Sequence, residues 1–190
     1  MAETPSIMIP LGTKAPHFLL QDSSSGQLLS LQDIKSEIAT VLMFLCNHCP
    51  YVKYIHSQLL DVVKKYQAKG ISFVAINAND AKSYPADSPT KMREEALKHH
   101  YTFPYLYDET QQVAKAYHAA CTPDFFVFDK ALLCVYRGRF DDATPGNYHT
   151  VTGKDLCEAL DDVLLGKPLN NNQKPSVGCN IKWKKELVES

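Results

Sequence analysis

The tetrapeptide Cys46-Asn47-His48-Cys49 constrains this chain more than any other segment. Two thiols with two residues between them can close a small disulfide or grip a metal ion. The flanking residues favour the first. Residues 38–45 are short, apolar and partly β-branched, the pattern of a buried strand. Beyond the second cysteine, Val52, Ile55, Leu59, Val62, Val63 and Tyr66 recur at spacings of three and four, which builds one buried helical stripe. Pro50 is tolerated in a first helical turn, and Gly70 closes the helix behind Lys64, Lys65 and Lys69. A thiol pair at a strand-to-helix junction places its first sulphur at a helix N-terminus. There the backbone N–H groups and the helix dipole stabilise a thiolate.

Size and charge narrow the function classes. A chain of 190 residues is long enough for a full core and is expected to form a single domain. A net charge of −1 offers nothing to nucleic acid or to an anionic membrane. Lys182, Lys184 and Lys185 are followed at once by Glu186 and Glu189, which reads as a solvated face. Residues 41–45 are far too short to span a bilayer, and the first residues lack the basic and apolar regions of a secretory signal. A cytoplasmic location is therefore expected. In that reducing compartment six cysteines are read as catalytic, metal-binding or inert, not as a disulfide framework.

Hydrophobic periodicity gives the order of elements. Residues 1–16 form an extended N-terminal segment. Two short strands around a turn at residues 22–27 make a hairpin, with a short helix beginning near Ser30. The strand at 38–45 and the long helix follow, then a strand at 71–76. A long polar loop spans residues 77–89, a length often functional or mobile. Helices are expected at 91–100 and 110–117, with a short extended piece at 103–107 between them. Residues 121–129 and 132–136 form an antiparallel hairpin. The last clear helix spans 152–165, with Thr152 as N-cap and Asp155 three residues on. Residues 166–190 form a Gly/Pro/Asn-rich tail, with a final helical turn over 182–188 and Trp183 packing it onto the domain. The fold class is α/β: a central mixed sheet with helices on both faces.

These residues resemble the thioredoxin superfamily. The strand, the Cys46–Cys49 turn, the long helix and Thr122-Pro123 before the hairpin match in order over roughly residues 10–185. The extra N-terminal hairpin and the insertion before the third helix resemble the redoxin branch, related to alkyl hydroperoxide reductase and TSA. The phrases Cys46–Val52, Cys121-Thr122-Pro123-Asp124-Phe125 and Gly178-Cys179-Asn180-Ile181-Lys182-Trp183 resemble a bacterial subgroup of that branch. The resemblance implies a thioredoxin fold and a cis Thr122-Pro123 peptide facing the cysteines. The backbone at Thr122 would then be free to pair with an extended substrate. There are departures. Thr40 stands where many thioredoxins carry a buried relay aspartate, and Leu45 replaces a tryptophan. The peroxiredoxin loop is absent, as is an arginine near Cys121–Thr122; Arg137 or Arg139 would have to substitute.

The expected activity is thiol–disulfide exchange. Cys46 is the nucleophile, as the more exposed thiol, and Cys49 resolves the mixed disulfide. The substrate is a disulfide-bearing protein, with electrons from a thiol or reductase and no cofactor. His48 favours the thiolate and a more oxidising couple, or is exposed and without influence. Thr122 and Pro123 line the substrate site. Cys121 is inert and buried, a third thiol, or a metal ligand; Cys179, in a loop, is a candidate extra resolving thiol. Cys134 and Cys157 belong to the core. Two alternatives stand: a thiol peroxidase, and a redox sensor or zinc module without turnover. The zinc set would be Cys46, Cys49, Cys121 and a histidine, although no second CxxC supports it. Asp141-Asp142 and Asp161-Asp162 read as solvated. The sequence does not define the oligomeric state.

Overall fold

Every residue of the strand before the thiol pair is buried, because it lies at the centre of a sheet covered on both faces. The computed structural model describes residues 3–185. Its elements are β1 (Glu3–Pro5), β2 (Leu19–Asp22), β3 (Leu28–Ser30), α1 (Leu31–Ile34), β4 (Ala39–Phe44), α2 (Pro50–Gln67), β5 (Ser72–Asn77), a 3₁₀ turn (Pro85–Asp87), α3 (Pro89–Lys98), β6 (Tyr105–Tyr107), α4 (Gln112–Ala116), β7 (Cys121–Thr122), β8 (Asp124–Asp129), β9 (Cys134–Gly138), α5 (Lys154–Leu164) and β10 (Val177–Asn180). Seven strands form a mixed sheet in the order β3-β2-β6-β5-β4-β8-β9. The β4, β5 and β6 strands are parallel, and the flanking hairpins run antiparallel to them.

Alternation along the central strands sorts the core into two layers. Val41, Met43, Phe73, Ala75, Phe125 and Val127 meet α2, α3 and α5 on one face. Leu42, Phe44, Val74, Ile76, Phe126 and Phe128 meet Leu31 of α1 and Ala114 of α4 on the other. The α2 stripe is buried as its spacing requires, from Val52 to Tyr66. Truncating its fully buried Leu59 to alanine would cost about 2–5 kcal/mol. Gly70, at φ +86°, turns the chain out of α2 into β5.

Three expectations need correction. Residues 166–180 are not all irregular tail: β10 pairs antiparallel with β1 and with β7, giving a second sheet in the order β1-β10-β7. Residues 182–185 do not form the expected helical turn, and residues 186–188 lie outside the described range. There Lys182 is buried, not solvated, and donates from Nζ to the Asn180 backbone and side-chain oxygens at 3.0 and 2.7 Å. Trp183 is 39% exposed, beside Lys115. Finally, the N-cap of α5 is Gly153 at φ +68°, not Thr152. The carboxylate of Asp141, read as solvated, is buried and accepts from the N–H groups of both Thr152 and Gly153 at 2.6 and 2.7 Å. A side chain from before the helix thus holds the bend that enters it.

Candidate thiol site

The chain leaves the sheet at Cys46. The Leu45 N–H is the last to pair, donating to the Ile76 carbonyl at 3.0 Å. Three residues later Cys49 is the N-cap of α2 and Pro50 its first residue. The helix end therefore belongs to Cys49, not to Cys46 as expected from the junction alone. Nor is Cys46 openly exposed: Cys46 and Cys49 are 2% and 0% accessible. Of the two, Cys46 alone lines a cleft of about 330 Å³, walled by Asn47, Val52, Lys53, His56, Glu95, Lys98, His99 and Tyr101.

The Thr122-Pro123 peptide is cis, as the resemblance implied. Thr122 touches both thiols: its Oγ1 is 3.3 Å from Cys46 Sγ, and its carbonyl accepts from the Cys49 thiol at 3.2 Å. Its backbone edge is not free, however. Thr122 is paired in register with Cys179 of β10, and Cys121 with Asn180. The approach is so close that a Cβ on Gly178 would overlap the Thr122 carbonyl. The edge expected to receive an extended substrate is filled by this chain's own strand. That strand brings Cys179, 2% exposed and no loop residue, to 2.8 Å from Cys49, sulphur to sulphur. All six cysteines are free thiols.

Charge is shared unevenly among the three sulphurs. Cys49 is pulled down, first by the S–H that Cys46 donates to it. The Cys179 S–H and the N–H groups of Val52 and Cys179 act the same way, against burial. Cys46 is pushed well up by that same donation, then by burial and by the negative charge of Asp87. Burial, followed by donation to Cys49, pushes Cys179 up. Cys49, at the helix N-terminus, is thus the sulphur that most readily gives up its proton.

Asp87 is the residue that sequence reasoning missed. The carboxylate is fully buried and accepts from four donors: the Asn47 N–H at 2.7 Å, Asn77 Nδ2 at 3.2 Å, Asn79 Nδ2 at 2.9 Å and His48 Nδ1 at 2.5 Å. It lies at the end of the 3₁₀ turn in the long polar loop and clamps the turn between the cysteines from outside. The Asn47 side chain is held too, donating to the Ala86 carbonyl at 2.8 Å and accepting from the Tyr105 hydroxyl at 3.0 Å. A buried carboxylate therefore does stand beside Cys46, from the insertion instead of β4. Thr40, at the usual relay position, is spent on Ser36 and Ser72.

His48 faces Asp87 and stacks on Tyr84 at 5.5 Å between ring centroids. Any positive charge on its ring is compensated there, and the charge felt by Cys46 is that of Asp87. The zinc set of Cys46, Cys49, Cys121 and a histidine is not assembled. Among the described residues, the group at this site with metal-ligand spacing is Cys46, His48 and Asp87, without Cys49 or Cys121. Cys121 and Cys134 are fully buried and burial raises their thiols, that of Cys134 to about 11; this is the inert reading. Cys157 is only half-buried. Both candidate arginines are engaged elsewhere. Arg137, fully buried, forks onto Asp124, and Arg139 bonds Asp155 at 2.5 Å.

A buried cysteine pair between a central strand and a helix, opposite a cis-proline loop, defines a thioredoxin-fold protein with a candidate redox site. The chain belongs to the AhpC/TSA family, whose model matches residues 11–136. It is similar to the crystal structure of an uncharacterized conserved protein from Geobacillus kaustophilus, at 54% identity over 97% of each chain and a TM-score of 0.95. A hypothetical protein from Sinorhizobium meliloti 1021 is 46% identical over 95% of this chain and 98% of that one, with a TM-score of 0.92. The fold is also that of the thioredoxin domain of a thiol-disulfide oxidoreductase from Bacteroides vulgatus, at 13% identity, 80% and 99% coverage and a TM-score of 0.60. Among curated proteins none matches the chain. No helix of the described residues is long and apolar enough to cross a membrane.

Proposed function

We propose that the protein is a thiol–disulfide oxidoreductase working through Cys46 and Cys49 on a disulfide of a protein partner. The observation that carries this reading is the meeting of both sulphurs with Thr122, at 3.3 and 3.2 Å, on a cis-proline loop. Cys46 is the entry sulphur because it is the one that lines the cleft. Its proton passes to Cys49, and the Cys46 thiolate attacks one sulphur of the partner's disulfide. That S–S bond breaks, a partner thiolate leaves, and Cys46 is held in a mixed disulfide. Cys49, deprotonated in turn at the helix end, attacks Cys46 Sγ and releases the second partner thiol. An external thiol or reductase resets the pair, in a reducing compartment such as the cytoplasm. With the Thr122 edge filled, the partner offers its disulfide at the cleft and not as an added strand.

The test is dithiothreitol-coupled reduction of insulin by the wild type, Cys46→Ser and Cys49→Ser. Activity lost in Cys46→Ser and stalled as a mixed disulfide in Cys49→Ser is the expected result; activity retained in Cys46→Ser defeats the proposal. Family membership supports a second reading, peroxide reduction. Peroxide consumption with sulfenic acid trapped on Cys46, and no insulin reduction, would favour it. The engagement of Arg137 and Arg139 elsewhere weighs against it.

A further inference from the structure

The third sulphur has no part in the two-thiol scheme, yet it is set against Cys49. Cys179 Sγ lies 2.8 Å from Cys49 Sγ. Its position is fixed by backbone, not by a flexible side chain. The β10 strand pairs with β7 on one side and with β1 on the other. Ser6 and Ser176 lock the same corner, the Ser6 N–H donating to the Ser176 carbonyl at 2.8 Å and the Ser176 N–H to Ser6 Oγ at 2.9 Å. Gly178 lets the strand close onto the Thr122 carbonyl. Cys179 is buried and does not line the cleft, so an incoming disulfide meets Cys46 first. Cys49 contacts Cys179 directly and shares the Thr122 contact with Cys46.

We propose that Cys179 is a second resolving thiol, which draws the disulfide inward from Cys46–Cys49 to Cys49–Cys179. The inference rests on the dithiol reading above. In the oxidised protein the Cys179 thiolate attacks Cys49 Sγ. The Cys46–Cys49 bond breaks, the Cys49–Cys179 bond forms, and the electron pair leaves on Cys46 Sγ. The proton lost by Cys179 is taken up by Cys46. One disulfide is broken and one formed, so no oxidant is needed beyond the substrate that oxidised the first pair. The oxidised protein then holds its disulfide beneath β10 and shows a free thiol to the cleft. Reset runs backwards: Cys46 attacks Cys49, Cys179 leaves, and the external thiol meets the disulfide at Cys46.

The experiment is disulfide mapping of the full chain after one equivalent of diamide. Free thiols are blocked with iodoacetamide and the peptides identified by mass spectrometry. Expected is a Cys49–Cys179 linkage with Cys46 alkylated. In Cys179→Ser the linkage shifts to Cys46–Cys49 and alkylation of Cys46 is lost. In Cys46→Ser the Cys49–Cys179 linkage still forms. A wild-type map with Cys46–Cys49 alone, or no disulfide in Cys46→Ser, overturns the inference. Insulin reduction by the same wild-type sample separates the two failures. Exchange with only a Cys46–Cys49 bond sinks the relay and keeps the function. A Cys49–Cys179 bond without exchange keeps the internal transfer and sinks the function.

Discussion

Replacing Asp87 by asparagine should make Cys46 a better nucleophile, although Asp87 is no thiol and sits in a loop 39 residues away in sequence from His48. Its carboxylate and the Cys46 sulphur lie within 4.8 Å of each other. A unit charge at that distance with an effective dielectric near 20 is worth about 3 kcal/mol against the thiolate. His48, 2.5 Å from the same carboxylate, offsets part of this whenever its ring is charged. A fall in the Cys46 pKa is therefore expected. Asparagine is the right substitution because alanine would leave four buried donors without an acceptor, at about 1–3 kcal/mol each. The background is Cys49→Ser/Cys179→Ser, in which Cys46 is the one site thiol left. Iodoacetamide modification of the Cys46 peptide is followed by mass spectrometry across pH, with and without Asp87→Asn, and circular dichroism confirms the fold. A Cys46 pKa unchanged or raised by the substitution would refute the electrostatic reasoning.

Three further outcomes are expected. Gly178→Ala forces its Cβ against the Thr122 carbonyl, so β10 lifts from β7; stability should fall by about 1–3 kcal/mol in denaturant melts, and Cys179 should alkylate faster, whereas equal protection would contradict the close packing. Arg137→Ala leaves the Asp124 carboxylate buried without its partner, a loss of about 3–5 kcal/mol that calorimetry should register as a Tm lower by about 10 °C. His56 is pushed below the usual histidine range, by burial and then by His99. Between that lowered value and about 6.5 the unfolded chain binds more protons, so stability should drop as pH falls below about 6.5. The slope should flatten in His56→Asn, and an unchanged slope would remove His56 as its source.

The elements that periodicity could resolve are those whose pattern is local. Residues 38–45 and the Val52–Tyr66 stripe carry their own signal, and Thr122-Pro123 was legible through its resemblance. The parts that escaped are defined by distant partners. Val177-Gly178-Cys179-Asn180 contains two poor strand formers, and only pairing with residues 3–5 and 121–122 makes it a strand. Asp141 reads as a surface acid and Asp87 draws no reading at all, because nothing nearby in sequence announces the N–H groups they serve. The third sulphur at Cys49 escaped for the same reason: β10 brings Cys179 to it from the far end of the chain. A carboxylate among Asn77, Asn79 and Asp87 in an overlong loop was the one available hint.

Because β10 joins β1 to β7, the thiol site is sealed by the two most separated parts of the described chain. Cys49 and Cys179 are 130 residues apart, so at roughly 5–20 residues per second the first pair of thiols emerges from the ribosome about 7–26 seconds before its cover exists. Contacts of such separation also carry the largest loop-closure cost, which delays them further. During that interval the nascent chain presents two close cysteines with no lid. It is then that stray disulfides can form, and a cell with a strong thiol buffer gives this fold the time it needs to finish.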